Sequence, residues 1–97
     1  MTDIELKLDE LIHQPVRTKI MAYLINTKQC DYTDLKNALG LSDGHMSTHM
    51  KKLIAGDYVK VEKKFEKNKP KTTYLITDKG KKNFKKYIET LTMIINQ

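Results

Sequence analysis

The stretch 42–54, Ser-Asp-Gly-His-Met-Ser-Thr-His-Met-Lys-Lys-Leu-Ile, constrains the fold more than any other part of the chain. Its apolar residues recur at helical spacing and form one stripe. Ser42 is a suitable N-cap, and Asp43 places a negative charge in the first turn, where the helix dipole favours it. The stretch therefore predicts a helix over 42–55 with one buried face, formed by Met46, Met50, Leu53 and Ile54.

The opposite side of this helix is small, hydroxylic and basic, and it has no carboxylate after the first turn. Hydroxyl and imidazole groups can reach base edges in a DNA groove, and lysines can reach phosphates. An ordinary solvated helix face can have the same composition, so the surrounding segments must decide between the two. The candidate DNA contacts are Ser42 at the helix start and the outer face, which comprises Gly44, His45, Ser47, Thr48, Lys51 and Lys52.

A shorter amphipathic helix precedes this one. Asp31 or Thr33 can cap it, and Leu35 and Leu39 face inward. Gly40 is a suitable C-terminal stop. Two helices joined by a few residues that include a glycine predict a helix-turn-helix unit.

After Gly56 the apolar period changes from that of a helix to that of a strand. The alternation over 59–65 predicts one strand, 66–70 a charged turn, and 71–76 a second strand. The tip of this hairpin carries Lys67, Lys69 and Lys71. Lysines at a tip can protect a sheet edge from aggregation, but the position directly after the helix-turn-helix favours phosphate contacts.

Both ends of the chain carry apolar stripes. The pattern predicts a short helix over 3–13, and Pro15 then begins the next helix. It also predicts a last helix over 78–96, which Thr77 caps directly after the hairpin. These stripes exceed what a small body can cover, so we expect a two-fold interface between copies, unless they fold back on the same chain. The predicted interface residues are Ile4, Leu8, Phe84, Tyr87, Ile88, Leu91, Ile94 and Ile95.

Charge is distributed unevenly along the 97 residues. Residues 1–50 carry five Lys/Arg and seven Asp/Glu, whereas residues 51–86 carry thirteen and four, and the net charge is +6. A basic block that follows a polar, basic helix face is typical of a polyanion binder. The length predicts a single domain over 1–97, and the patterns predict a mainly α fold with a small β-hairpin, of the α+β class.

Several function classes lack support in the sequence. No apolar run approaches a membrane span and the N-terminus carries four acidic residues, so we expect a cytoplasmic protein. His45 and His49 could form half of a zinc site, but Met46 stands where a metalloprotease needs glutamate. We expect no enzyme activity, metal or cofactor. The single cysteine, Cys30, forms no internal disulfide and is interpreted as a small buried hydrophobe, with redox sensing as the alternative.

The stretch from Ser42 through Gly56 to Val59 resembles the winged helix-turn-helix repressors of the MarR and ArsR type. Segments 11–17, 69–75 and 75–80 agree with it, so the resemblance covers nearly the whole chain. It implies a transcriptional regulator that binds duplex DNA as a homodimer, at an inverted repeat. The helix over 42–55 would lie in the major groove and the wing, residues 65–71, on the backbone or minor groove. The apolar stripes of the terminal helices would form the dimer interface. With 97 residues there is little room for a separate ligand domain, so no small-molecule effector is evident, and one would have to bind in an intersubunit cleft.

One alternative function remains open, a winged helix that contacts proteins rather than DNA. Such a module is expected to show apolar or acidic residues on the outer face, which this sequence lacks. RNA binding has less support, because no strand motif carries aromatic residues for base stacking. Tyr58, Phe65 and Tyr74 are interpreted as core or cross-strand residues of the hairpin.

Overall fold

The computed structural model of the protein describes residues 6–97. Within them the chain forms helices and a small sheet in the order of a winged helix fold. In chain order the elements are α1 (Pro15–Thr27), β1 (Gln29–Asp31), α2 (Tyr32–Leu39), α3 (Asp43–Ala55), β2 (Val59–Glu66), β3 (Lys69–Ile76) and α4 (Asp78–Ile95). The predicted α+β winged helix fold is confirmed.

Polar side chains begin each of these helices. Each N-cap side chain accepts a hydrogen bond from a backbone N–H three residues on, which satisfies one of the donors that a helix start leaves unpaired. Gly40 ends α2 with a φ of 62°, a left-handed conformation that glycine adopts without steric cost. The caps are Gln14, Asp31, Ser42 and Thr77.

Helix α1 lies at the centre of the fold and contacts α2, α3, α4 and β3. The predicted stripe of α3 packs into this core, with Met46 and Leu53 fully buried and Met50 almost so. Burying a Met or Leu side chain stabilises a fold by about 1.5–3 kcal/mol relative to leaving it in water. The stripe therefore determines which side of α3 faces outward.

The sheet is antiparallel, with strand order β1-β3-β2. A two-residue turn, Lys67 and Asn68, joins β2 to β3, and both residues have positive φ, 50° and 62°, as a type I′ turn requires. The predicted turn over 66–70 was too long. Pro70 fits inside β3 as the partner of Phe65 because β1 pairs only with residues 73–75, which leaves the other edge of β3 unpaired at the tip.

The predicted helix over 3–13 is wrong for the part that the structure describes. Residues 6–9 have no regular structure and 10–12 form a turn. The Asp9 carboxylate accepts hydrogen bonds from the N–H groups of Leu11, at 2.9 Å, and Ile12, at 3.3 Å. Such local bonds compete with helix formation. The remaining predicted residues of this helix, including Ile4, lie outside the described part of the chain.

The apolar residues of this segment serve the chain's own core. Ile12 is fully buried, and Leu8 packs against the core rather than remaining free for a partner. The Tyr58 hydroxyl donates to Asp9 Oδ2 at 2.5 Å and so anchors the segment. Burial, together with the Asp9 carboxylate, raises the pKa of Tyr58 to about 12.

Helix α4 changes character along its length. Phe84 and Tyr87, which the sequence assigned to a partner interface, are buried in the chain's own core, because α4 packs on α1. Leu91 is half-buried against the same core. The apolar surface that remains exposed consists of Ile88 (41%), Met93 (47%), Ile94 (36%) and Ile95 (70%).

Gly80 allows α4 to approach the start of the hairpin closely. A Cβ at this position would lie 2.3 Å from the backbone O of Tyr58, which cannot move away as a flexible side chain could. We expect Gly80→Ala to lower the free energy of unfolding by about 1–3 kcal/mol, measured by urea denaturation. Gly44→Ala is the matched control, because only Ser42 Oγ lies near its Cβ, at 3.9 Å. It should leave stability unchanged or raise it by up to about 1 kcal/mol. Equal stabilities for the two variants would contradict the close approach.

Candidate nucleic-acid interface

The outer face of α3 is exposed along its whole length. All six of its residues, with Ser42 at the helix start, are open to solvent, while the opposite side is buried. Ser42 is also occupied structurally, since its Oγ accepts a hydrogen bond from the N–H of His45 at 3.1 Å. The structure thus brings the helix candidates together on one free surface.

His49 lies at the border between the outer face and the core. Its Nδ1 is 3.0 Å from Nη1 of Arg17 on α1. A guanidinium can only donate, so Nδ1 accepts and the imidazole is neutral in this contact. Burial first, and then the Arg17 charge, lower the pKa of His49.

Arg17 is a structural residue whose role the apolar period of the sequence does not indicate. Only 9% of it is exposed, and its Nε donates to the carbonyl O of Leu11 at 2.6 Å. Arg17 therefore joins the N-terminal segment, α1 and α3. Periodicity could not reveal this role, because a buried arginine depends on partners distant in sequence.

A polar contact joins α2 to the start of α3. Lys36 Nζ donates to Asp43 Oδ1 at 2.8 Å, and the Tyr32 hydroxyl donates to the same oxygen. The hydrogen bond from Lys36, and to a smaller extent that from Tyr32, lowers the pKa of Asp43. The same bond to Asp43 raises the pKa of the Tyr32 hydroxyl to about 12. The pair lies at the surface, so it orients the two helices more than it stabilises them.

The wing presents its lysines on an exposed hairpin tip. Lys67 lies in the turn, and Lys69 and Lys71 lie on β3, all exposed. Lys71 Nζ is 3.3 Å from Glu66 Oε2, so part of its charge is balanced locally. Side chains alternate across a strand, and the register places Lys71 opposite Lys64.

A groove of about 320 Å³ separates α3 from the hairpin. Its walls carry apolar side chains together with hydroxyl and ammonium groups. The hairpin side includes Lys63, which the sequence reading did not single out. The lining residues of this groove are Tyr32, Ser47, Met50, Lys51, Ile54, Val61, Lys63, Thr72 and Tyr74.

Phe65 differs from the sequence interpretation. It is a cross-strand partner, of Pro70, but it is not a core residue, because 80% of it is exposed. Tyr58 and Tyr74 are buried as expected. The hairpin extends past the body of the domain at Phe65, so the core of the described residues does not cover the ring.

The described residues 6–97 show no arrangement that suits a metal site or a membrane span. No three His, Cys, Asp or Glu side chains there are grouped so that they could hold a metal ion, and the His45 and His49 rings lie 6.3 Å apart, centre to centre. No helix in the same part of the chain has the length and apolar character that crossing a membrane requires.

The fold and the exposed basic helix face define a winged-helix DNA-binding regulator. A model of the winged helix DNA-binding domain family matches residues 16–95, and the chain belongs to that family. The expected winged helix-turn-helix transcriptional regulator is thereby confirmed. Family and fold are those of DNA-binding transcriptional regulators rather than of enzymes.

Individual relatives agree with this assignment. The chain is 38% identical over 79 residues to the uncharacterized protein MJ0432 of Methanocaldococcus jannaschii, which covers 81% of this chain and 86% of the relative. A transcriptional regulator homologue from Pyrococcus horikoshii OT3 has a similar structure, with a TM-score of 0.85 and 26% identity over 91% of this chain and 87% of that one. Overoxidized AbfR, solved bound to DNA, shares the fold, with a TM-score of 0.70 and 13% identity over 84% of this chain and 58% of that one.

The Arg17–His49 contact predicts a loss of stability in mild acid. The pKa of His49 is lowered in the folded chain, so the unfolded chain, with an ordinary histidine pKa of about 6.5, takes up the proton first. The contribution of His49 to the free energy of unfolding should therefore be fully present above a pH of about 6.5, and it should be lost as the pH falls toward the pKa of the folded state. His49→Gln keeps an acceptor for Arg17 but does not titrate, and it should flatten this dependence in urea unfolding. An identical slope in wild type and His49→Gln would contradict the prediction.

Proposed function

We propose that this protein is a sequence-specific transcriptional regulator that binds duplex DNA as a homodimer. In this proposal α3 lies in the major groove and the wing, residues 65–71, lies on the backbone or in the minor groove. The observation that carries it is the outer face of α3, which is fully exposed and free of carboxylates after its first turn, opposite a buried stripe. A B-DNA major groove admits a helix, and such a face can enter it without repelling phosphates.

The exposed groups divide naturally between two tasks. Hydroxyl and imidazole groups near the middle of α3 suit hydrogen bonds to base edges, which specify sequence. Lysines on the later turns and on the wing suit phosphates, which determine position and affinity. Lysine is a point charge without the bidentate fork of arginine, so the wing lysines would contribute little base specificity.

The exposed end of α4 supports the homodimer. Ile88 and Ile95 are seven residues apart, which places them on one side of the helix, and the last lysine of α4 is Lys86. An apolar, nearly uncharged helix end is a liability in water, and pairing with a second copy would bury it. Two copies could then present two α3 helices to half-sites about 34 Å apart.

The alternative is a winged helix that contacts another protein through α3. The charge of the outer face disfavours it, because protein interfaces are depleted in lysine at their centre. Selection of bound sequences from random duplex DNA distinguishes the two functions. We expect enrichment of an inverted repeat, whereas recovery of unenriched sequences would favour the protein-contact function.

Two variants of the exposed surface should then separate specificity from affinity. Thr48→Ala should weaken binding to the selected site by about 1–3 kcal/mol and leave binding to random duplex unaffected, as the loss of a base contact does.

Replacing Lys67, Lys69 and Lys71 with alanine should weaken binding to both duplexes. It should also reduce the dependence of log affinity on log salt by about 0.9 per lost phosphate contact. Lys71, paired with Glu66, should account for the smallest share. Titrations by fluorescence anisotropy at several salt concentrations measure both effects. An unchanged salt slope would remove the wing from the interface.

The dimer is tested by charge on the exposed end of α4. Ile88→Glu with Ile95→Glu should convert a dimer at micromolar concentration into a folded monomer that has lost high affinity for the inverted repeat, because both side chains lie outside the chain's own core. Lys82→Glu with Lys86→Glu adds acidic side chains on another side of α4 and should leave the mass unchanged. Sedimentation equilibrium measures the mass. A monomeric wild type would contradict the proposed dimer.

A further inference from the structure

Phe65 is an exposed aromatic residue for which the contacts described so far give no role. The other large exposed hydrophobic residues of the described chain lie on α4, where a second copy could cover them. Phe65 instead lies next to the last residue of β2, four residues beyond Val61, which still packs against the core. At about 3.3 Å per residue, the ring stands roughly 13 Å beyond that edge of the core.

The register of the hairpin determines which way Phe65 faces. In a strand, residues two apart lie on one face, so Phe65 shares its face with Lys63 and Val61. Their partners on β3 are Pro70, Thr72 and Tyr74. Four of these residues, those nearer the core, line the groove beside α3. Phe65 and Pro70 therefore continue, at the tip, the face of the hairpin that is turned toward α3.

The backbone around Phe65 is short and stiff. The turn has only two residues, and Pro70, directly across from Phe65, has a fixed φ and no N–H. An aromatic ring adds a large apolar surface with only two side-chain torsions to order on binding. A stiff backbone that holds an exposed ring in one position suits insertion of that ring into a narrow site better than contact with a surface that changes shape.

The charges around the ring indicate what kind of partner it meets. Residues 62–71 hold five lysines and two glutamates, a net charge of +3. A second copy of this tip would be repelled, and an apolar protein surface would have to desolvate those ammonium groups. Duplex DNA offers phosphates to the lysines and an apolar base stack to the ring.

We infer that Phe65, supported by Pro70, is a wedge that enters the minor groove and partly unstacks one base-pair step. This inference rests on the proposed DNA-binding function and extends it. Wedges of this kind kink the duplex toward the major groove, and flexible pyrimidine–purine steps kink most easily. The wing thereby selects sequence through deformability, which its lysines alone cannot do.

The test uses the full chain and duplexes of the selected site that carry 2-aminopurine at successive steps on each flank. Wild-type protein should raise 2-aminopurine fluorescence at one step per half-site and shorten the end-to-end distance measured by energy transfer. Phe65→Ala should abolish both signals and weaken the preference for the selected site over random duplex, while binding to random duplex and the salt slope are retained. Phe65→Leu, which keeps an apolar wedge, should retain most of the fluorescence change. Lys64→Ala is the matched neighbour and should lower the salt slope, by up to about 0.9 per protomer, with the fluorescence change intact.

The outcomes separate the wedge from the function beneath it. Specific binding by the wild type with no fluorescence change at any step, or an equal change with Phe65→Ala, overturns the wedge and leaves the DNA-binding function standing. Failure of the wild type to prefer the selected site over random duplex overturns the function, and the wedge with it. Since 80% of Phe65 is exposed, the alanine variant should melt at the wild-type temperature, which circular dichroism checks.

Discussion

The burial of one stripe on α3 is the interaction on which the rest of the structure depends. Met46, Met50 and Leu53 lie in the core against α1, and burying them contributes several times the thermal energy per side chain. Rotating the helix by a third of a turn would expose these residues and bury His45 and Lys52 instead. The presentation of the outer face is therefore a consequence of core packing, and core and candidate interface are two sides of one helix.

Polar contacts then fix α3 within the frame that the core provides. Arg17 binds the Leu11 carbonyl and His49, and Asp43 binds Lys36 and Tyr32. The first contact is mostly buried and the second lies at the surface, so only the first couples α3 firmly to the N-terminal segment. A helix held at its first turn and near its middle can carry base-reading groups with a defined orientation.

The hairpin shows how strand register distributes chemistry between two faces. Alternation places Lys63 and Phe65 toward α3, whereas Lys64, Glu66 and their partners face away. A lysine-rich tip thus has one face that pairs its charges and another that offers an aromatic ring beside a basic groove. The two faces would meet different parts of a duplex, the phosphates and the base stack.

Much of this protein follows from local pattern alone. The apolar period of 42–55, the caps Ser42 and Thr77, the Gly40 stop and the change of period after Gly56 each depend on neighbours in sequence, and the structure agrees with all of them. The residues of the outer face could be predicted equally well, because helical spacing alone determines which side chains lie opposite the buried stripe.

Tertiary structure alone decided the features that depend on distant residues. Segment 6–13 has an amphipathic pattern, yet Asp9 bonds to local N–H groups and to Tyr58, so Leu8 and Ile12 reach the core without a helix. The α4 stripe divides because the side of the helix that carries Phe84 and Tyr87 packs into the chain's own core, whereas Ile88, Ile94 and Ile95 stay exposed. Phe65 carries the alternation of a buried strand but extends past the body of the domain, and periodicity records which face a residue takes without recording where the core ends.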